Sequence, residues 1–118
     1  MLSIENLTVD IKSKKKMLTV LSNINLKVDR GETLGIVGES GCGKSMTANA
    51  IMGLLKKNIR PTSGKILLDD LDLTKIKELD FEKLRGSKIS MIFQSSMSAL
   101  NPLMRVGKQI EEALEILR

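Results

Sequence analysis

An apolar run, a glycine-rich loop and a helical pattern follow one another without interruption over residues 33–55. Residues 33–37 include almost no polar side chain, which is typical of a strand buried on both faces. The stretch GESGCGKS follows directly. Apolar residues then recur at three- and four-residue spacing and predict a helix over 44–55. This order predicts an α/β fold in which a buried strand leads through a loop into a helix.

The stretch Gly38 to Ser45 matches the pattern G-x-x-x-x-G-K-[ST] in full. Glycines let backbone N–H groups approach a phosphate chain, and the following helix directs its N-terminal dipole at the same place. The Lys44 ammonium would reach the β- and γ-phosphates, and the Ser45 hydroxyl would ligate Mg²⁺. A merely flexible glycine turn is the alternative. The predicted nucleotide-binding residues are Gly38, Glu39, Ser40, Gly41, Cys42, Gly43, Lys44, Ser45, Met46 and Thr47.

Cys42 lies inside this loop and has two interpretations. It is either a small tolerated side chain or a reactive thiol, activated by the helix N-terminus and Lys44. Rapid alkylation that ATP blocks would support the second interpretation, and sluggish modification would exclude it.

The remaining patterns predict several further elements. Alternation over residues 2–11 changes parity near Glu5–Asn6 and predicts a strand with a bulge, and clean alternation predicts an antiparallel strand over 21–28. A turn is expected at 29–31, an interruption of regular secondary structure at 61–64 and a short strand at 65–68. Asp69 and Asp70 are interpreted as a turn. A short helix at 80–85, a buried strand at 88–93 and a helix from Arg105 complete the prediction.

Composition narrows the function only a little. The chain has 118 residues, one cysteine, no histidine and a net charge of +5. These counts indicate one domain or part of one, and exclude a disulfide framework and histidine metal ligands. The lysine-rich run at 12–16 is interpreted as a solvated loop between two strands. A nucleic-acid patch is the less favoured reading, because no aromatic residues interleave with the lysines. The N-terminus does not have the pattern of a signal peptide.

The sequence resembles the start of an ABC-type ATPase domain, through GETLGIVGESGCGKS and through MIFQ, residues 91–94. The resemblance implies a P-loop NTPase (RecA-like) core with an N-terminal antiparallel β subdomain. Residues 1–32 and 60–72 would form that subdomain, and residues 33–59 and 86–118 the P-loop core and the start of a helical subdomain. It also implies catalytic roles for Lys44 and Gln94, with Ser45 and Gln94 at the Mg²⁺.

Two longer stretches, GESGCGKSMTANAIMGLL and MIFQSSMSALNPLMRVGKQIEEAL, resemble the subgroup that powers bacterial uptake of dipeptides, oligopeptides or nickel. The resemblance implies ATP and Mg²⁺ as cofactors and a peripheral cytoplasmic location on the inner face of the plasma membrane. The implied partners are a second ATPase subunit, transmembrane permease subunits and, indirectly, an extracytoplasmic solute-binding protein. Nucleic acid is not among them.

The sequence departs from the family pattern in three respects. Ser95 and Ser96 replace the acidic residue and proline that often follow the glutamine. The only aromatic residues are Phe81 and Phe93, so Ile11 or lysine stems at 12–16 would have to contact the base. Weaker ATP binding or relaxed base choice is therefore expected. The signature loop, the carboxylate-bearing strand and the switch histidine of the family do not follow residue 103. We therefore expect an N-terminal fragment that is inactive alone and self-associates through open strand edges.

Two other functions remain open at this point. One is a soluble ABC-type ATPase of DNA repair or translation, which would not copurify with membrane subunits. The other is a non-hydrolysing nucleotide-binding module. The sequence encoded after Arg118 would discriminate between these readings.

Overall fold

The computed structural model describes residues 1–39, 41–94 and 100–117. The chain divides into two compact units, Met1–Lys77 and Glu78–Arg118. In the described residues the first unit holds four strands and a helix, and the second holds two helices. Within the same ranges, no helix is long and apolar enough to cross a membrane.

A four-stranded antiparallel sheet forms most of the first unit. Its spatial order is β2-β1-β3-β4, and its strands are β1 (Leu2–Lys12), β2 (Met17–Val28), β3 (Ile59–Leu68) and β4 (Leu71–Asp72). The predicted antiparallel pair is confirmed, although β2 begins at Met17 rather than at residue 21. The lysine-rich run forms the connection between β1 and β2, as predicted.

The predicted bulge in β1 is also confirmed. The register between β1 and β2 shifts between Ile4 and Leu7, and Asn6 has a positive φ of 48°. The Asn6 N–H donates to Asn25 Oδ1 at 2.9 Å, so the bulge leaves this donor satisfied. Because of the shift, Ile4 and Leu7 are both buried although their spacing is odd.

The predicted interruption of regular secondary structure at residues 61–64 is wrong, because these residues lie inside β3. Pro61 pairs with Val9 at a second register shift, where β1 is the only strand that pairs with β3 among the described residues. A proline is tolerated in such an edge segment because its missing N–H interrupts no further ladder. Gly64, with φ of 86°, lies beside the β1 bulge and accommodates it. The turn at Asp69–Asp70 is confirmed as the connection between β3 and β4.

The two buried strands predicted at residues 33–37 and 88–93 are not formed in the described part of the chain. Residues 33–37 make no backbone hydrogen bond to another described residue, and Val37 is 94% exposed. Ile92 is 98% exposed, and the second segment contributes only an isolated bridge between Arg85 and Ile89. Apolar composition favours a strand, but a strand forms only where a neighbouring chain segment accepts and donates hydrogen bonds.

Helix α1 (Lys44–Met52) follows the glycine-rich loop and has a few contacts with β3. It ends earlier than the predicted residue 55, because Gly53 adopts a left-handed φ of 68°. The Leu54 N–H donates to the Asn49 carbonyl at 2.8 Å, which closes the last turn. The buried apolar side chains of this unit come from the sheet, from α1 and from Leu73: Ile4, Leu7, Val9, Leu21, Ala50, Met52, Ile66 and Leu73.

The second unit contains α2 (Glu78–Leu84) and α3 (Val106–Leu117), close to the helices predicted at 80–85 and from residue 105. Phe81 is buried, and the Arg85 guanidinium lies 5.2 Å from its ring centroid. Arg85 also pairs with Glu78 at 2.6 Å, and this hydrogen bond lowers the pKa of the Glu78 carboxyl. Serines 95–96, where the sequence departs from the family pattern, lie outside the described residues.

Candidate nucleotide-binding site

The loop before α1 depends on two glycines with left-handed backbone conformations. Gly41 has φ of 86°, and Gly43, the residue that caps α1, has φ of 100°. The Gly43 carbonyl accepts two hydrogen bonds from Thr47, one from the backbone N–H at 2.9 Å and one from Oγ1 at 2.8 Å. Thr47 is buried, so this double contact fixes the loop to the first turn of the helix.

At each end of the loop, an added Cβ would meet a neighbouring side chain. A Cβ at Gly43 would lie 2.6 Å from Leu21 Cδ2, and a Cβ at Gly38 would lie 2.5 Å from Cys42 Sγ. Leu21 belongs to β2 and is only 4% exposed. The sheet therefore approaches the start of α1 closely through Leu21, and this approach positions the loop. Sequence patterns identified Leu21 as a strand residue but gave no indication of this contact.

The Lys44 side chain folds back over the loop. Its ammonium donates to the carbonyl oxygens of Gly38 and, at 3.3 Å, of Glu39. These two oxygens belong to the segment that the motif assigns to phosphate binding. The ammonium is thus held within the loop by two neutral acceptors.

Further donors are backbone N–H groups at the start of α1. The hydrogen bond from Thr47 N–H to Gly43 is the first of α1, so the N–H groups of Lys44, Ser45 and Met46 precede the regular helical bonds. The helix dipole adds partial positive charge there. Ser45 is exposed and Met46 is half-buried. These N–H groups and the Lys44 ammonium give the start of α1 a positive electrostatic character.

The other predicted site residues are distributed as follows. Cys42 is exposed, and its N–H donates to the Glu39 carbonyl at 3.2 Å. Ser40 lies outside the described residues. Gln94 is an exposed residue of the second unit.

The aromatic residues lie outside the first unit, as the sequence order requires. Phe81 is buried in α2, and Phe93 is 53% exposed. Ile11, considered for contact with the base, is half-buried and pairs with Ile59 and Leu18.

An apolar cleft of about 590 Å³ lies next to the loop in the first unit. Residues of β2 form one wall, and the unpaired segment 34–38 forms another. Gly43, Lys44 and Thr47 line the cleft as well. The loop therefore borders on an apolar cleft, and Lys44 is the only cationic side chain among the described residues that line it.

We expect Gly43→Ala to destabilise the chain more than Gly41→Ala. Both substitutions place a Cβ on a left-handed backbone, which costs about 1–2 kcal/mol. The Gly41 position has nothing within 4 Å of the added Cβ, whereas Gly43 forces Leu21 to move. Gly43→Ala should therefore lower the free energy of unfolding by about 1–3 kcal/mol more than Gly41→Ala does, which is the usual cost of overpacking a core. Urea unfolding of the two variants measures the difference, and equal losses would contradict the packing argument.

No group of three or more Asp, Glu, His or Cys residues is arranged to hold a metal ion in the ranges that the structure describes. The Ser45 hydroxyl, in the first turn of α1, makes no hydrogen bond to another described residue. Its oxygen is a hard donor of the kind that Mg²⁺ accepts beside phosphate oxygens. The residues present thus fit a metal ion that arrives together with a nucleotide.

Comparisons with known proteins agree with this geometry. The chain is 42% identical over 113 residues to the dipeptide transport ATP-binding protein DppD of Lactococcus lactis subsp. cremoris. It is 40% identical over 116 residues to the oligopeptide transport ATP-binding protein OppD of Haemophilus influenzae and 44% identical over 114 residues to OppD of Escherichia coli. These matches cover 96%, 98% and 97% of this chain but 32%, 36% and 34% of the relatives. The chain thus spans about a third of their length.

The solved structure of the ATP-binding cassette MJ0796, a dimer in a post-hydrolysis state bound to ADP and Pi, matches with a TM-score of 0.85 and 30% identity. The match covers 100% of this chain and 48% of that one. The fold is therefore that of an ABC ATPase cassette, with the antiparallel sheet that the resemblance implied. The family model for the ABC transporter matches residues 21–117. The chain belongs to the ABC transporter family of ATP-binding proteins.

Proposed function

We propose that the loop from Gly38 to Thr47 binds the phosphates of ATP. The observation that carries this proposal is the position of the Lys44 ammonium, folded onto the carbonyl groups of Gly38 and Glu39 above the N-terminus of α1. The cation lies on the loop that leads into the N-terminus of α1, and a polyphosphate requires both a cation and free N–H donors. Thr47 contributes indirectly, because its hydroxyl and N–H hold Gly43 in place.

Mg²⁺ would be held between the nucleotide and the Ser45 hydroxyl. When bound, the ion neutralises charge that develops on the phosphate oxygens during transfer to water. In this proposal Lys44 orients the β- and γ-phosphates, and the N–H groups at the start of α1 hold them in place. For Gln94, the family resemblance implies a catalytic role.

We further propose that the intact protein hydrolyses ATP to drive uptake of dipeptides or oligopeptides. The names of the relatives, dipeptide and oligopeptide transport ATP-binding proteins, support peptides as the class of solute and favour them over nickel. The partners would be a second ATPase subunit, permease subunits in the membrane and a solute-binding protein outside it. The protein would then lie on the cytoplasmic face. We expect no turnover from the 118-residue chain alone.

The experiment that tests the site is ATP binding with Mg²⁺ and with EDTA, measured by calorimetry on the chain and on Ser45→Ala. Mg²⁺ should raise the affinity of the unchanged chain. Ser45→Ala should lose about 1.5–3 kcal/mol of that increment, as for a contact to a charged group, and should keep the affinity measured in EDTA. Ser90→Ala removes an exposed serine of the second unit and serves as the control. An unchanged Mg²⁺ increment in Ser45→Ala would refute the proposed ligand.

A further inference from the structure

One end of the antiparallel sheet carries a dense group of cations. The connection between β1 and β2 and the segment 56–60 meet there, because the Lys12 N–H donates to the Asn58 carbonyl at 2.7 Å. In register, Asp10 faces Arg60, so the segment continues alongside β1. We call this surface the basic end; its members are Lys12, Lys14, Lys15, Lys16, Lys56, Lys57 and Arg60.

The basic end has a local charge well above that of the chain. Residues 11–20 and 51–60 hold seven of the 19 basic residues and none of the 14 acidic ones, although the net charge of the chain is only +5. All seven members are exposed, and none forms an ion pair with another described residue. The nearest carboxylate in register, Asp10, accepts hydrogen bonds from Thr19 and Thr62, each at 2.7 Å. These bonds lower the pKa of Asp10 and orient its oxygens toward the threonines.

Two large apolar side chains lie beside these cations. Met17 is 53% exposed and Leu18 is 63% exposed, directly after Lys16. In register, Met17 faces Lys12 and Leu18 faces Ile11, so both belong to the same end of the sheet. Lysines around exposed apolar side chains are typical of surfaces that lie at a lipid interface, where the ammonium groups remain at the headgroups.

We propose that the basic end docks on a membrane surface containing anionic phospholipids. Clusters of four to eight lysines or arginines are attracted to such surfaces. The lysines would lie against the lipid phosphates while Met17 and Leu18 enter the interfacial region. Nucleic acid fits less well, because the first unit contains no aromatic side chain on which bases would stack. None of the seven cations belongs to the loop before α1, so this docking does not use the groups proposed to bind the phosphates.

Vesicle sedimentation of the 118-residue chain tests the proposal, with phosphatidylcholine–phosphatidylglycerol vesicles and pure phosphatidylcholine vesicles. The chain should bind the anionic vesicles and be released as salt rises from about 0.1 M, where the Debye length is about 10 Å. Replacing Lys14, Lys15 and Lys16 by glutamine should lower binding at least about tenfold. The control removes the same charge from exposed sites elsewhere in the first unit, Lys65, Lys75 and Lys77, and should lower binding much less.

A second comparison separates lipid from other polyanions. Replacing Met17 and Leu18 by asparagine should weaken vesicle binding severalfold and leave heparin binding unchanged, because heparin offers no apolar phase. Both side chains are exposed, so the fold should persist, and circular dichroism checks it. Equal binding to neutral vesicles, equal loss in the two lysine variants, or tighter binding to single-stranded DNA than to anionic vesicles would each overturn the proposal.

Discussion

Replacing Lys44 by alanine should weaken ATP binding by about 10- to 100-fold, since a hydrogen bond to a charged group contributes about 1.5–3 kcal/mol. The Lys44 ammonium is already held over the loop by the carbonyl groups of Gly38 and Glu39. A nucleotide would exchange these neutral acceptors for charged phosphate oxygens, which form stronger hydrogen bonds. The loss should therefore fall on the phosphates, and ATP should lose more affinity than adenosine.

Titration calorimetry with ATP measures this effect, and Lys77→Ala is the matched control. Lys77 is an exposed lysine of the same unit, so the two variants have the same net charge. Lys77→Ala should bind ATP as the unchanged chain does. If both variants lost the same affinity, the nucleotide would be responding to overall charge, and the assignment of Lys44 would be wrong. Lys44→Arg should also be impaired, because a planar guanidinium does not replace a compact ammonium.

Gly64→Ala should destabilise the chain by about 2–5 kcal/mol, the sum expected from a left-handed alanine and an overpacked contact. Gly64 has φ of 86°, and a Cβ there would lie 2.3 Å from the Asn6 carbonyl oxygen and 2.6 Å from that of Glu5. Both obstacles are backbone atoms of the β1 bulge, so no side-chain rotation relieves the contact. The substitution therefore separates β1 from β3 at this point.

Gly31→Ala is the control for Gly64→Ala. Gly31 also has a positive φ, 74°, but nothing lies within 4 Å of its added Cβ. Gly31→Ala should lower the free energy of unfolding only by the cost of a left-handed alanine, about 1–2 kcal/mol. Denaturant titration followed by circular dichroism gives both values. A loss at Gly64 no larger than at Gly31 would show that the bulge yields easily, contrary to the packing described above.

The predicted elements that succeeded depend on local sequence. The parity change near Glu5–Asn6 predicted the bulge, because one extra residue in a strand moves every later side chain to the other face. The glycine-rich motif predicted where α1 begins, since the backbone conformations at Gly41 and Gly43 are those that glycine adopts readily. The turn at Asp69–Asp70 was likewise predicted from neighbouring residues alone.

The predicted elements that failed depend on partners distant in the sequence. The segments 33–37 and 88–93 are apolar, but no described segment pairs with them as a strand. Pro61 and Gly64 suggested a break, whereas β1 supplies a bulge into which both residues fit within β3. Local propensity is a weak guide in such cases, because strand formation is decided by the neighbouring strand.

The sequence by itself determined the loop, its lysine and serine, the antiparallel pair and the resemblance to the ABC family, since motif chemistry and alternation are local properties of the chain. Only the tertiary structure decided that Leu21 lies close to Gly43 and that the Lys44 ammonium binds the carbonyl groups of Gly38 and Glu39. It also decided that segment 56–60 lies beside the lysine-rich connection between β1 and β2. Each of these contacts joins groups whose approach depends on backbone path and side-chain direction. Neither the backbone path nor the side-chain direction is fixed until the strands have paired into the sheet, so the sequence pattern alone does not predict these contacts.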